Sequence, residues 1–155
     1  MIELVKDGNI FESQCDCLVN PVNCVGICGK GLALDFKKKF PMYYNAYAGA
    51  CMSNVIHPGI FAFHPFKDEY GKDFISFPTK DHWMHPSNLE DIAKSLKLFA
   101  ETYNDYGIKS IAFPALGCGC GGLRFQDVLK VMRVYLENLP ILVEVYAPKE
   151  YDEIE

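Results

Sequence analysis

The chain of 155 residues is defined first by what it does not contain. No apolar run is long enough to cross a bilayer, which takes about 20 residues in helical form. The opening "MIELVKDGNIFES" lacks the basic head and apolar core of a secretion signal, so the cytoplasm is the expected compartment and no membrane partner is expected. There is no basic excess either. Fifteen lysines and arginines against twenty acids leave a formal net charge of −5. That balance argues against tight non-specific binding to nucleic acid, which rests on neutralised phosphates. Basic residues gather only in "FKKKF" at Phe36 to Phe40, read as a solvated helix end. Internal repeats, low-complexity tracts and linkers are missing, and the length suffices to bury one core, so a single domain over residues 1–155 is expected.

Cysteine is present, but not in a pattern that holds metal. The seven cysteines are an odd number, and the Cys-x-Cys pairs Cys15/Cys17 and Cys118/Cys120 do not form a closed tetrahedral frame. Neither a metal nor another cofactor is expected. The thiols read as reduced, small apolar fillers. With half of its residues apolar and 23% charged, the chain has the composition of an ordinary globular protein.

The order of elements follows from pattern and punctuation. "IELVKDGNI" reads as a strand closed by a turn at Gly8, and "CDCLVNPV" as a second strand closed by Pro21. "LALDFKKKF" reads as a helix that stops at Pro41, which opens another helix, "MYYNAYAGACM". "GIFAFHPF" and "KDFISFP" read as a hairpin around the turn "KDEYG". From Ser87 a strong helix is expected, with Ser87 and Glu90 as a capping box. Leu89, Ile92, Ala93, Leu96, Phe99, Ala100 and Tyr103 would give it one apolar face, and Gly107 would end it. "IKSIAFPAL" reads as a strand covered on both faces. A helix carrying Val128, Met132, Tyr135 and Leu136 and a last strand "ILVEVYA" follow. Alternating strands and helices with one hairpin predict an α/β fold: three α/β/α layers around a central mixed sheet.

In such folds ligands settle beyond the C-terminal ends of the strands. Two glycine-rich stretches lie there, "NPVNCVGICGKGLA" after the second strand and "PALGCGCGGLRF" after the strand from Ile108. Glycine permits positive φ and lets backbone amides approach a ligand. A helix starting immediately afterwards adds attraction for an anion. Either loop alone could be no more than a tight turn, but two facing loops suit a diphosphate. Neither matches the dinucleotide fingerprint or the P-loop.

The succession "DGNI", "CLVNPVNCVGICGKGLALDFKKKFP", "FPTK" and "FPALGCGCGGL" resembles the macrodomain family, whose fold binds ADP-ribose. The resemblance covers essentially the whole chain. It is closest to the branch of DarG-type DNA ADP-ribosyl glycohydrolases and the related terminal ADP-ribose glycohydrolases. It implies that Asn9 and Ile10 meet adenine, although many macrodomains carry an aspartate where this chain has Asn9. It implies further that Asn20 to Gly31, with Asn20, Asn23, Val25, Gly29, Lys30 and Gly31, line the distal ribose and one side of the diphosphate. Asn23 is the polar residue best placed near that ribose. Leu116, Gly117, Cys118, Gly119, Cys120, Gly121 and Gly122 would form the opposite loop, and Thr79 joins the binding set.

The same resemblance makes Lys80, in "FPTKDHW", the catalytic residue. Cleavage at the ribose anomeric carbon passes through oxocarbenium-like charge, and a lysine attacks it only as the free amine. Terminal ADP-ribose glycohydrolases carry an aspartate where this chain has Gly121, an absence shared with DarG-type enzymes. The implied activity is therefore removal of ADP-ribose from a nucleobase, with thymidine in single-stranded DNA favoured, opposing a DarT-type toxin. An ADP-ribose reader without catalysis and a hydrolase of protein-linked ADP-ribose remain the alternatives. Trp83, beside His82 and His85, either stacks on a nucleobase or packs as a lid.

Overall fold

The computed structural model describes residues 1–119, 121–149 and 151. Its six strands are β1 (Ile2–Val5), β2 (Cys17–Val22), β3 (Ala62–His64), β4 (Asp73–Pro78), β5 (Ser110–Phe113) and β6 (Leu142–Tyr146). They form one sheet in the order β1-β6-β5-β2-β4-β3. All neighbours run parallel except β3, which pairs antiparallel with β4 at the edge. The expected mixed sheet is thus realised.

Side-chain alternation along the strands builds the layers. Cys17, Val19, Ile75, Phe77, Ile111, Phe113, Val143 and Val145 point to one face. There they pack on α4 (Leu89–Thr102) through Ile92, Leu96 and Phe99, and on α5 (Phe125–Leu136) through Val128, Met132 and Leu136. Leu18, Val22, Phe74 and Ala112 point to the other face, against Phe36 of α1 (Gly31–Lys39) and Tyr43 and Tyr47 of α2 (Pro41–Met52). Burying a large side chain of this kind stabilises by about 1.5–3 kcal/mol, so the two faces hold the sheet from both sides.

Three local expectations are corrected. The α4 cap is Asn88, not Ser87: its Oδ1 accepts the Glu90 and Asp91 amides at 2.9 and 3.3 Å. The Ser87 amide is committed elsewhere, to the Gly121 carbonyl at 3.0 Å. The turn between β3 and β4 holds a one-turn helix, α3 (Lys67–Tyr70), closed by Gly71 at φ 75°. Asp73 organises its start by accepting the Phe66 and Lys67 amides at 3.0 and 3.2 Å. Finally, β2 runs through Pro21 to Val22. β5 pairs only with Cys17 and Leu18, so the proline stands where β5 has already parted from β2. The α4 helix gives way at Thr102 to a 3₁₀ turn that ends at Gly107, in the left-handed conformation at φ 69°.

Candidate functional site

Three adjacent strands, β5, β2 and β4, run parallel and end on the same side of the sheet. Val22 lies opposite Pro78, so the chain leaves β2 and β4 at one level. The β4–α4–β5 connection carries the chain across β2 to its other neighbour, which opens a crevice at the strand ends. A cavity of about 650 Å³ fills it. That is the size of a small-molecule site.

The first wall is the loop after β2. Its organiser is Asn23, whose Oδ1 accepts the Val25 and Ile27 amides at 3.1 and 3.3 Å and the Tyr47 hydroxyl at 2.8 Å. Its Nδ2 donates to the Ile27 carbonyl at 2.8 Å. A primary amide has two N–H groups, so one remains to meet a ligand. The Tyr44 hydroxyl closes on the Gly26 carbonyl at 3.0 Å, and Gly26 takes φ 84°. The loop then enters α1 at Gly31, φ 66°, with Lys30 as an N-cap that makes no side-chain capping bond. Gly31, Leu32 and Ala33 line the cavity, so the first amides of α1 border it uncapped, with the positive end of the helix dipole behind them.

The second wall is the loop after β5. It closes on its own backbone: Cys118 donates to Ala115 at 3.2 Å, Leu123 to Gly117 at 2.9 Å and Gly122 to Gly119 at 3.4 Å. Gly117 and Gly122 sit at φ 72° and 80°. A Cβ on Gly117 would come within 2.8 Å of Leu123 Cδ1, and one on Gly121 would collide with Ser87 Oγ and approach the Gly117 carbonyl to 2.5 Å. Gly119 is different: among the described residues outside its own chain neighbours, nothing lies within 4 Å of the place where its Cβ would be. Burial pushes the Cys118 thiol up to about 11 and the Cys24 and Cys28 thiols, in or beside the first loop, up to about 12 and 11. These cysteines are therefore protonated at neutral pH and behave as small packing groups.

The third wall is the segment after β4, which is stitched to both loops. Thr79 donates to the Val22 carbonyl and Cys24 to the Asp81 carbonyl, each at 2.9 Å. At the far end Ser87 bonds the second loop through Gly121, and Asn88 donates to Thr79 at 3.3 Å. Between these anchors half-buried Lys80 lines the cavity and donates from Nζ to the Trp83 carbonyl at 3.4 Å. Trp83 lines the cavity too and is 50% exposed.

Of the residues expected from sequence, the cavity brings together Asn23, Gly29, Lys30, Gly31, Thr79, Lys80, Gly117, Gly119 and Gly121. Val25, Leu116, Cys118 and Gly122 belong to the same loops but do not line it. Asn9 and Ile10 lie apart: Asn9 Oδ1 caps a short 3₁₀ turn by accepting the Phe11 amide at 3.0 Å, and Ile10 is buried in the α1–α2 core. Asn20 is fully buried and turns towards α2, where its Nδ2 donates to the Tyr43 hydroxyl at 2.9 Å. That hydroxyl bonds Ser76 Oγ at 2.6 Å, and Ser76 bonds His64 Nε2 at 2.9 Å. Cys120 lies outside the described residues. The remaining wall is mostly apolar, with Pro21, Val22, Ile27, Leu32, Ala33, Pro114 and Ala115. Such residue types announce no ligand by themselves, and only their place beside the glycine loops points to them. Among the described residues no group of three or more His, Cys, Asp or Glu could hold a metal ion, and no helix is long and apolar enough to cross a membrane.

A family model described as Macro domain matches residues 19–132. The DNA ADP-ribosyl glycohydrolase of Thermus aquaticus is 40% identical over 152 residues, covering 97% of this chain and 42% of that protein. The solved macrodomain of Thermus aquaticus DarG superposes with a TM-score of 0.89 at 38% identity, covering 96% of this chain and 99% of that one. Thermosipho africanus DarTG in complex with ADP-ribose gives a TM-score of 0.92 at 36% identity, over 97% of this chain and 42% of that one. The chain spans about two fifths of the length of the curated DNA ADP-ribosyl glycohydrolases it matches.

Proposed function

The chain belongs to the Macro domain family, and from that premise we propose that it is an ADP-ribosyl glycohydrolase that releases ADP-ribose from nucleobases in single-stranded DNA. One observation carries the proposal: Lys80 lines the same cavity as both glycine loops. In this reading the diphosphate lies between the uncapped start of α1 and the loop around Gly119. The distal ribose points towards Asn23 and Lys80, and the adenine would have to project beyond the cavity walls to meet Asn9 and the backbone of buried Ile10. The free Lys80 amine bonds the anomeric carbon as the bond to the base breaks. The base leaves with that electron pair and takes a proton from water, and water then displaces the amine to release ADP-ribose. Alternatively, Lys80 holds the distal ribose while water attacks directly. Residues 1–155 act as a single macrodomain in the cytoplasm, opposing a DarT-type toxin, with thymidine as the favoured modified base. Gly121 supports a DNA over a protein substrate, because a Cβ there would collide with Ser87 and no aspartate fits without rearrangement.

The test sets ADP-ribosylated single-stranded DNA beside ADP-ribosylated protein. ADP-ribose should bind with a micromolar dissociation constant, about −8 kcal/mol. Release from DNA should fall by about two orders of magnitude or more in Lys80→Ala, while ADP-ribose affinity stays within a few-fold. Lys80→Arg should not restore it, because a guanidinium is never free to attack. A fully active Lys80→Ala overturns the catalytic assignment. Binding without turnover by the wild type leaves an ADP-ribose reader, and no heat at millimolar ADP-ribose removes the reading altogether.

A further inference from the structure

The segment between Lys80 and Ser87 carries more exposed planar surface than a lid needs. Trp83 is 50% exposed and Met84 67%, and His85 is exposed as well. The three rings form a run. His82 lies against Trp83 with centroids 5.5 Å apart and planes 31° from parallel, and against His85 at 5.4 Å and 47°. Trp83, at one end of the run, lines the cavity, whereas His82 and His85 do not.

Its backbone is fixed at both ends by the bonds to Val22, Cys24, Gly121 and Thr79 described above. Inside the segment His85 donates to the His82 carbonyl at 2.9 Å, and His82 Nδ1 accepts the Met84 amide at 3.2 Å. The His82 ring and the backbone that carries the other two are therefore held before any ligand arrives, which lowers the ordering cost of binding.

We infer that Trp83, His82 and His85 form a stacking platform for the unpaired bases that flank the modified nucleotide of a single-stranded substrate. The inference rests on the proposed DNA substrate and extends it from the ADP-ribose to the strand that carries it. Base-on-ring stacking tolerates any sequence, because every base has a π-face. It also suits a chain of net charge −5, in which Asp81, Glu90 and Asp91 stand close to the platform in sequence and phosphate neutralisation is a poor source of affinity. A platform that continues out of the cavity admits a polymer, whereas a free nucleoside fills only the cavity.

Trp83 is the only tryptophan, so its fluorescence reports on the platform alone. The experiment titrates the intact chain, with and without saturating ADP-ribose, with a ten-nucleotide single-stranded oligothymidine and with an abasic strand of equal length. The expected result is saturable quenching by oligothymidine, little by the abasic strand, and a shallow dependence on salt. His85→Ala should weaken oligothymidine binding about five- to tenfold, the scale of one lost base–aromatic stack, and leave ADP-ribose affinity as it was. Equal quenching by the abasic strand, or oligothymidine affinity unchanged both in His85→Ala, read by fluorescence, and in Trp83→Ala, read by calorimetry because that variant has no tryptophan, overturns the platform. Quenching by ADP-ribose but not by oligothymidine makes Trp83 a lid over the cavity and likewise overturns it. Failure of ADP-ribose itself to bind strikes the proposed function instead, and the oligothymidine titration still decides the platform.

Discussion

The loop after β2 is organised mainly by one side chain, with the Tyr44 hydroxyl and the Asp81 carbonyl as outside supports, whereas the loop after β5 is held by backbone bonds, its own and the one from Ser87, and by side chains it does not have. In the first, Asn23 binds two amides, a carbonyl and a tyrosine hydroxyl, so a single primary amide makes four of the bonds that order residues 23–27. In the second, turn bonds from Cys118, Gly122 and Leu123 close the chain, and Gly117 and Gly121 pack where no Cβ fits. Both surround one cavity, yet they should fail in opposite ways. The first is sensitive to atoms removed and the second to atoms added. Within the second loop Gly119 is the exception, because among the described residues space is open beside it.

That exception gives the largest expected effect. Among the described residues nothing stands within 4 Å of a Cβ at Gly119, so the fold should tolerate Gly119→Glu and the melting temperature should move by no more than about 2 °C. The carboxylate would occupy the space proposed for the diphosphate and repel its charge. ADP-ribose affinity should fall at least about a hundredfold, near 3 kcal/mol. Calorimetry on a variant that melts normally makes the test, and normal binding would mean the diphosphate lies elsewhere.

Gly121→Ala should reverse the pattern, harming the fold more than the ligand contact. The added methyl collides with Ser87 Oγ and meets the Gly117 carbonyl at 2.5 Å. Overpacking of this kind costs about 1–3 kcal/mol, or roughly 3–10 °C in a domain of this size. A thermal melt equal to wild type would show that the second loop is looser than its hydrogen bonds suggest, and would remove half of the comparison.

For the first loop, Asn23→Ala leaves the Val25 and Ile27 amides without their acceptor, while the Tyr47 hydroxyl keeps the Asn23 backbone carbonyl at 2.8 Å. The loop borders the open cavity, where water replaces part of what is lost, so about 1–2 kcal/mol of stability is at stake. Asn23→Asp keeps the acceptor but sets a carboxylate oxygen against the Ile27 carbonyl, where the amide nitrogen donates at 2.8 Å, so it should recover only part of that stability. If alanine and aspartate melt together, the amide nitrogen and not the oxygen orders the loop.

How much of this was legible in the sequence depended on how local its cause is. The apolar face of α4 was readable because Ile92, Leu96 and Phe99 repeat at helical spacing and all three are buried. Its cap was misplaced by one residue because Ser87 and Asn88 are both good caps, and the contact that decides between them comes from Gly121, more than thirty positions away. The one-turn helix at Lys67 was hidden for a similar reason, since Asp73 of the following strand organises it. The two glycine loops were readable as strand-end loops, and Lys80 was placed by resemblance. The direction of Asn20 was not seen, although strand alternation puts Leu18, Asn20 and Val22 on one face, towards Tyr43 of α2. The apolar part of the wall stayed invisible, because Pro21, Ile27 and Pro114 look in sequence like any other packed or turning residue.

The smallest effect belongs to Ser87, where the two kinds of control meet. Its amide holds the second loop, but its Oγ is buried with no hydrogen-bond partner among the described residues. Ser87→Ala keeps the backbone bond and removes a hydroxyl whose desolvation is not compensated, so stability should stay within about 0.5 kcal/mol of wild type or rise slightly. The informative measurement is the double variant. Because the Cβ of Gly121→Ala runs into Ser87 Oγ, removing that oxygen should lower the cost of Gly121→Ala, giving a coupling of at least about 0.5 kcal/mol in a double-mutant cycle. Relief should be partial, since the Gly117 carbonyl at 2.5 Å and Ser87 Cβ at 2.7 Å still stand in the way. Strict additivity would mean that the backbone carbonyl alone forbids a side chain at Gly121, and that the serine only happens to lie beside it.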